Sequence, residues 1–291
     1  MARKLSQNLI TKLSKGGEWH KLMKDIAADK DLTSEIRDGR LTVYYQKGRL
    51  LEIREKKINT LDSGYYTGCV KYFVEKIQNG VFSRGITTEP VVLDPNNAKP
   101  YLKWAKTTIG TFNYIHNKRE FIIQQRIMKE NSSKDSNYLA LDLEYQFEQG
   151  NIPKDQRIDK SRIDIVAIEK GTNDIVLFEL KQGSGAVDGK SGIEDHIRKT
   201  NNYIANSTFC EKLRNDLSQI ISQKIDLGLL DCDKNLISHI QSSKIKMGFI
   251  FVTYTENDEK DIVKLMEGHE DILAIWKDYS CELYAHHPSW E

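Results

Sequence analysis

The sequence lacks any long apolar run. No stretch of its 291 residues approaches the roughly 18 consecutive apolar residues that a membrane-spanning helix requires. The basic segment of residues 1–17 also lacks the apolar core and the small-residue cleavage site of a secretory signal peptide. These absences argue against a membrane partner, and we expect a soluble protein located in the cytoplasm.

Cysteine is scarce and scattered. The chain has four cysteines, and none of them forms a Cys-x-x-Cys pair: Cys69, Cys210, Cys232 and Cys281. This spacing argues against a zinc knuckle or a dithiol redox motif, both of which need closely spaced cysteines. Reduced thiols, as in cytosolic proteins, are therefore the expectation.

Proline is also scarce, and its distribution indicates a domain boundary. Three of the five prolines lie within residues 87–100, so this segment is a poor helix and is predicted to be a connection. The length of the chain suits two domains of ordinary size. We place the boundary near residue 96, between an N-terminal α+β unit over residues 1–96 and a second domain over residues 97–291.

Charge is unevenly distributed. Residues 1–60 contain 14 Lys and Arg against 8 Asp and Glu, whereas the remainder contains 29 basic and 34 acidic residues. A basic first segment followed by an acidic remainder suits a protein that contacts a polyanion with one part and holds a metal ion with another. Ordinary solvated lysines would give the same totals.

The N-terminal segment contains one clear hairpin pattern. Residues 41–54 hold two short strand-like runs around the turn sequence of residues 46–48, and apolar and polar positions alternate in the first run. Residues 63–79 then repeat apolar side chains at helical spacing after Ser63, a plausible N-cap. We therefore expect a small mixed unit of strands and a helix.

The rest of the chain alternates between helical and strand patterns. In order, the patterns predict a helical segment over residues 101–131 with a break at Gly110, strands over 139–147, 162–168 and 175–181, helices over 193–205 and 209–226, a strand over 246–254, a helix over 257–267, and short strands over 272–276 and 281–285. In the strand 139–147 every second residue is apolar, which predicts one apolar and one polar face. The fold class is therefore α/β, with a mixed sheet covered by helices.

One constellation stands out in the predicted hairpin over residues 162–181. Glu179 and Lys181 are two residues apart on a strand, so their side chains project from the same face. With a symmetric turn near residues 171–173, Asp164 lies opposite Glu179, and such cross-strand neighbours are about 5 Å apart. The sequence therefore predicts that two carboxylates and an ammonium group meet at one place on the sheet.

These three side chains indicate metal-assisted hydrolysis. Two adjacent carboxylates repel each other unless a proton or a cation lies between them. Mg²⁺ prefers one or two carboxylates together with water and phosphate oxygens, and it activates water for attack on a phosphate. Lys181 is then expected to stabilise transition-state charge or to position the water. The competing interpretation is a surface hairpin with an incidental charge cluster, although charges within such apolar strands are costly.

The run RIDIVAIEKGTNDIVLFELKQG, residues 162–183, resembles the second and third motifs of the PD-(D/E)XK nuclease superfamily, which has the restriction-endonuclease-like fold. Asp164 matches the motif aspartate, and Glu179 and Lys181 match its E-x-K. Ile163 stands where the eponymous proline often lies. The resemblance implies an α/β/α core, dependence on Mg²⁺ with Mn²⁺ as a substitute, and hydrolysis of phosphodiester bonds in DNA.

The resemblance also implies a third acidic ligand upstream, for which the sequence offers two candidates. Glu120 lies on the predicted helix before the first strand and is our first choice, while Glu144 lies on the polar face of that strand. Gln182 directly follows Lys181 and is a candidate for a supporting role. His196 on the next helix is more readily interpreted as a surface residue than as a phosphate contact.

The sequence therefore predicts a metal-dependent DNA endonuclease whose N-terminal unit contacts DNA. Two alternatives stay open: a non-catalytic DNA-binding or assembly protein on the same fold, and an RNA-directed nuclease. The retained set of Asp164, Glu179 and Lys181 favours catalysis, because a purely structural protein has no need of it. A homodimer and a monomer are both compatible with the sequence.

Overall fold

A computed structural model describes residues 3–79, 89–132, 136–147, 149, 157–158, 162–182, 189, 192–252 and 256–277. Within them the chain forms two compact units. The N-terminal unit contains residues 3–129 and 223–230, and the C-terminal unit contains residues 130–222 and 231–277. The boundary predicted near residue 96 placed the segment of residues 97–129 in the second domain, whereas this division places it with the N-terminal sheet.

The N-terminal unit combines a small antiparallel sheet with helices. Its elements are α1 (Gln7–Leu13), α2 (His20–Ala28), β1 (Thr33–Arg37), β2 (Arg40–Tyr45), β3 (Gly48–Arg54), β4 (Lys57–Asn59), α3 (Ser63–Gln78), α4 (Lys99–Ile115) and α5 (Arg119–Glu130). The strand order is β1-β2-β3-β4. The predicted hairpin is confirmed as β2 and β3, whose tight turn places Gln46 and Lys47 in the left-handed region. The predicted helix over residues 63–79 is confirmed as α3.

The two faces of this sheet differ in character. Cross-strand pairs such as Leu41 with Ile53 and Val43 with Leu51 form one apolar, fully buried face. Helix α4 is fixed to the sheet by Tyr101, whose hydroxyl donates a hydrogen bond of 2.8 Å to the carbonyl oxygen of Leu50. The alternate positions of the strands form a second face that is rich in charged side chains.

The helical segment predicted over residues 101–131 does break, but not at Gly110. Helix α4 continues through Gly110 to Ile115, and the interruption lies at Asn117, whose φ is 51°. Asparagine adopts this left-handed conformation more readily than most residues. The backbone N–H of Lys118 then donates a hydrogen bond of 2.9 Å to the carbonyl oxygen of Asn113 and closes the helix end.

The C-terminal unit is built on a five-stranded mixed sheet. Its elements are β5 (Tyr138–Gln146), β6 (Arg162–Glu169), β7 (Asp174–Gln182), α6 (Ile193–Ala205), α7 (Ser207–Asp226), α8 (Leu236–Ile240), β8 (Ile245–Val252), α9 (Glu256–Leu265) and β9 (Leu273–Lys277). The strand order is β5-β6-β7-β8-β9, antiparallel from β5 to β7 and parallel from β7 to β9. The prediction of an α/β fold with a mixed sheet is confirmed. The short strand predicted over residues 281–285 lies outside the described residues.

Helices cover both faces of this sheet. On one face, Ile193 and Ile197 of α6 pack against Phe249 and Phe251 of β8 in a buried cluster. On the other face, Tyr145 of β5 contacts α7: its hydroxyl lies 3.0 Å from Asp216 Oδ2, and its ring meets the ring of Phe209 edge to face. Both faces of the sheet are therefore buried, which explains the nearly continuous apolar sequences of its strands.

Strand β5 departs from the alternation predicted for it. The pairing with β6 shifts between Ala140 and Asp142, so Leu141 is an extra residue and the two ends of the strand reverse their faces. Leu139 to Leu143 are consequently all buried. The alternation predicted a polar face for this strand, but helices cover both sides of the sheet and both faces of the strand are buried.

The close packing of β7 against β8 generates a stability prediction. A Cβ atom added at Gly248 would lie 2.6 Å from Cε1 of the buried Phe178 ring, which is too close for a real contact. We expect Gly248→Ala to lower the free energy of unfolding by about 1–3 kcal/mol in urea titrations followed by circular dichroism. Gly171→Ala is the control, because no atom lies within 4 Å of its added Cβ. Equal midpoints for the two variants would contradict this packing.

Candidate active site

The register of β6 and β7 brings Asp164 opposite Glu179. Ile165 pairs with Phe178, and the same register continued by one residue pairs the two acids. The backbone N–H of Leu180 donates a hydrogen bond of 2.8 Å to Asp164 Oδ2. The carboxyl groups of Asp164 and Glu179 lie within hydrogen-bonding reach of each other. The pairing predicted from the symmetric turn is thus present.

Two members of this constellation are buried, and the third, Asp164, is half-buried. Glu179 is only 3% exposed and Lys181 only 4% exposed, and both project from the face of β7 that α6 covers. Leu180 between them projects to the opposite face and is also buried. A solvated surface hairpin would expose these charged groups, so the structure does not match that competing interpretation.

The environment of Glu179 disfavours its charged form. Burial is the main cause, and it raises the pKa of Glu179 to about 8. The ammonium group of Lys181 and the contact with Asp164 oppose this shift, while the carboxylate of Glu144 adds to it. Without a cation, the site therefore retains a proton on Glu179 at neutral pH.

His196 is a member of the site that sequence reasoning missed. Its Nδ1 atom lies 2.9 Å from Glu179 Oε2, although the ring N–H is not well directed at an acceptor. Burial, followed by the charge of Lys181, lowers the pKa of His196 to about 4, so its imidazole is neutral. The signal was present in the sequence, because His196 lies at helical spacing between Ile193 and Thr200, both of which are buried.

Of the two candidates for a third acid, Glu144 lies beside the site. Leu143 pairs with Ile165 and Tyr145 with Ile163, so Glu144 is the cross-strand neighbour of Asp164. Its charge acts on the pKa of Glu179. Three carboxylates therefore follow one another across β5, β6 and β7. Glu144 also has a φ of 56°, which is unusual for a non-glycine residue within a strand.

The structure of the C-terminal unit does not add the remaining predicted site residues to this constellation. Glu120 belongs to the N-terminal unit, where it is exposed on α5 and its carboxylate lies 3.7 Å from Lys47 Nζ. Gln182 is the last residue of β7, and alternation directs its side chain away from the face of Lys181. Neither residue is brought next to Asp164 or Glu179 within the C-terminal unit.

The chemistry of the donors fits a hard divalent cation. Within the described ranges, no group of three or more His, Cys, Asp or Glu side chains is arranged to hold a metal ion. Mg²⁺, however, is usually bound through one or two carboxylates together with water and substrate phosphate. Asp164 and Glu179 supply two adjacent carboxyl groups, and burial raises the pKa of Glu179, so its ionised form would be favoured by a bound cation.

No protein-family model, curated protein or solved structure matches this chain. In the part of the chain that the structure describes, no helix has the length and apolar character needed to cross a membrane. What the protein does is therefore inferred from its own residues.

The raised pKa of Glu179 predicts how stability depends on pH. Between about pH 4.5 and 8, the unfolded chain releases the Glu179 proton while the folded protein retains it, so stability falls as pH rises through this window. Glu179→Gln removes this loss. In buffer with EDTA, we expect the variant to match the native protein near pH 4 and to exceed it by on the order of 2–4 kcal/mol near pH 8.

Urea titrations across this pH range provide the measurement. Glu194→Gln is the matched control, because Glu194 lies on the exposed side of α6. Parallel stability curves for the native protein and Glu179→Gln would show that Glu179 ionises normally.

Proposed function

We propose that this protein is a metal-dependent nuclease of the PD-(D/E)XK type, that its C-terminal unit has a restriction-endonuclease-like core, and that it cleaves DNA endonucleolytically. The observation that carries the proposal is the juxtaposition of half-buried Asp164 with buried Glu179 and Lys181 on neighbouring strands. The mixed sheet with helices on both faces is compatible with this core.

Energetics favour a functional role for these residues. Burying a carboxyl group and an ammonium group costs several kcal/mol per charge unless they are well paired. In Glu179 the cost is visible, because its pKa stays raised despite the nearby Lys181. Strongly perturbed pKa values of this kind cluster at functional sites, where such an energetic cost is retained for chemistry.

Asp164 and Glu179 would hold Mg²⁺ or Mn²⁺. When bound, such an ion supplies Lewis-acid chemistry, lowering the pKa of a water and neutralising charge on a scissile phosphate. The N–H of Leu180 fixes one oxygen of Asp164, which limits the orientations that this carboxylate can adopt. His196 acts as a positioning residue, because its neutral ring lies against one oxygen of Glu179.

Lys181 carries the positive charge of the site. Its ammonium group stabilises the ionised form of Glu179 and lies on the same face of β7. In the proposed reaction it stabilises the charge that develops on the phosphate, or it orients the attacking water. Because Lys181 is almost fully buried, water screens these interactions weakly.

A non-catalytic DNA-binding or assembly protein is the second candidate, and an RNA-directed nuclease is the third. The burial of an intact acidic and basic set disfavours the second, since hydrophobic residues would stabilise the same position better. Substrate assays with DNA and RNA separate the first candidate from the third. Sedimentation would show whether the active species is a monomer or a homodimer.

Substitution of the central residues tests the catalytic proposal. We expect Asp164→Asn, Glu179→Gln and Lys181→Met each to reduce Mg²⁺-dependent cleavage of supercoiled, linear and branched DNA by at least about 100-fold, because each removes charge stabilisation of the transition state. Circular dichroism should show that the variants remain folded. The matched controls are substitutions at exposed positions: Asp231→Asn, Glu194→Gln and Lys260→Met. Cleavage by purified Glu179→Gln at the native rate would refute the mechanism.

The row of carboxylates makes Glu144 our proposal for the third acid, in place of Glu120. Removing its charge while keeping its shape should weaken metal binding. We expect Glu144→Gln to lower Mn²⁺ affinity about 10-fold or more, as substitutions beside metal ligands commonly do. Glu120→Gln should leave it unchanged. Titration calorimetry with Mn²⁺ measures both variants without a need for activity. Weaker binding in Glu120→Gln alone would restore the assignment made from sequence.

A further inference from the structure

Three arginines of the N-terminal sheet converge on one carboxylate. Glu52 of β3 lies 2.7 Å from Arg54 Nε, 3.2 Å from Arg40 Nε and 3.4 Å from Arg49 Nη1. Asn59 adds a hydrogen bond of 3.0 Å. Burial alone would raise the pKa of Glu52, but the contacts with Arg54, Asn59 and Arg40 lower it overall. One negative charge thus faces three permanent positive charges.

The strand register extends this arrangement across the sheet. Arg37 pairs with Arg40 and Lys57 with Arg54, so alternation places both on the face that carries Glu52. We call this surface the basic sheet face and define it by its five basic residues: Arg37, Arg40, Arg49, Arg54 and Lys57. Two further carboxylates have partners here: Glu35 lies 3.0 Å from Lys224 Nζ, in the part of α7 that belongs to the N-terminal unit, and Asp38 lies 3.8 Å from Arg40 Nη1. Five of the 14 basic residues in the segment of residues 1–60 thus lie on this face.

Part of this face is open to solvent and still ordered. The side chains of Arg49 and Arg54 are 38% and 41% exposed, while each guanidinium group contacts Glu52. A carboxylate accepts about four hydrogen bonds, whereas three guanidinium groups offer roughly fifteen N–H donors. Glu52 therefore holds the arginines in place without using up their capacity to bind an anion, and this preorganisation lowers the entropic cost of binding.

We propose that the basic sheet face binds the phosphate backbone of DNA; this inference rests on the proposed function. The planar fork of arginine matches phosphate oxygens in a bidentate manner, and such contacts need no particular base sequence. Permanent charge and donors in fixed positions suit a polyanion with regularly spaced phosphates better than they suit a neutral partner. The N-terminal unit thereby anchors the substrate.

The test uses the full chain carrying Glu179→Gln, so that binding is measured without cleavage. In this background, Arg49→Gln with Arg54→Gln is compared with Lys71→Gln and Lys103→Gln, which remove the same charge from exposed positions on α3 and α4. Fluorescence anisotropy with labelled duplex DNA is recorded over a range of KCl concentrations. We expect the arginine pair to bind about 10-fold or more weakly and to lose about 1.8 from the slope of log K against log salt, near 0.9 for each phosphate contact. The lysine pair should keep the native slope.

The double variant Arg49→Lys with Arg54→Lys is the control for misfolding. It keeps the charge and loses the fork, so it should retain the salt slope and bind DNA less tightly than arginine does. An unchanged slope in the glutamine pair, or equal losses in the arginine and lysine pairs, would overturn the proposal. Binding of labelled polyglutamate that depends on these arginines, in a protein that does not bind DNA, would overturn the proposal and assign the face to an acidic protein.

The proposed function can fail separately from this inference. If the chain with native Glu179 cleaves DNA in Mg²⁺ but the arginine pair binds DNA normally, the nuclease assignment stands and the basic sheet face has no part in it. If Arg49→Gln with Arg54→Gln weakens DNA binding as expected but the native chain does not cleave DNA, the DNA-binding role of the basic sheet face is supported and the protein is a DNA-binding protein without nuclease activity. A native chain that neither binds nor cleaves DNA refutes both.

Discussion

The pairing register of β6 with β7 determines the chemistry of the C-terminal unit. Because Ile165 lies opposite Phe178, Asp164 lies opposite Glu179 on the face covered by α6. A slip of one residue would move one of these acids to the other side of the sheet. The burial of Glu179, its raised pKa and the approach of His196 all follow from this alignment.

The two sheets shift the pKa of a buried carboxyl group in opposite directions. In the N-terminal unit, Glu52 is surrounded by guanidinium groups and its pKa is lowered. In the C-terminal unit, Glu179 has one lysine on its own strand but two carboxylates in its row, and its pKa is raised. On the first surface the guanidinium groups outweigh the effect of burial on the pKa, whereas on the second burial outweighs the effect of the nearby lysines. Under the proposed function, the first surface binds an anion and the second binds a cation.

Local signals made the hairpin of the candidate site predictable. The short turn at residues 171–173 fixes the register, so Asp164 and Glu179 could be paired from their numbers alone. The extra residue at Leu141 could not be predicted from the sequence, because it arises from the pairing of β5 with β6, which are separated by a long stretch of chain. His196 was misjudged as a surface residue because its residue type was given more weight than its helical spacing with Ile193 and Thr200. Strands β1 and β4 were missed because both are short and rich in polar residues.

The left-handed backbone of Glu144 combines local strain with a carboxylate beside Asp164 at a single position. A side chain at φ 56° is strained relative to glycine, which adopts this conformation without steric cost. Glu144→Gly would therefore relieve the backbone strain at this position of β5. The same exchange would remove a carboxylate from the row beside Asp164. Under the proposed function, glutamate at this position costs folding free energy and supplies a carboxylate that the site uses.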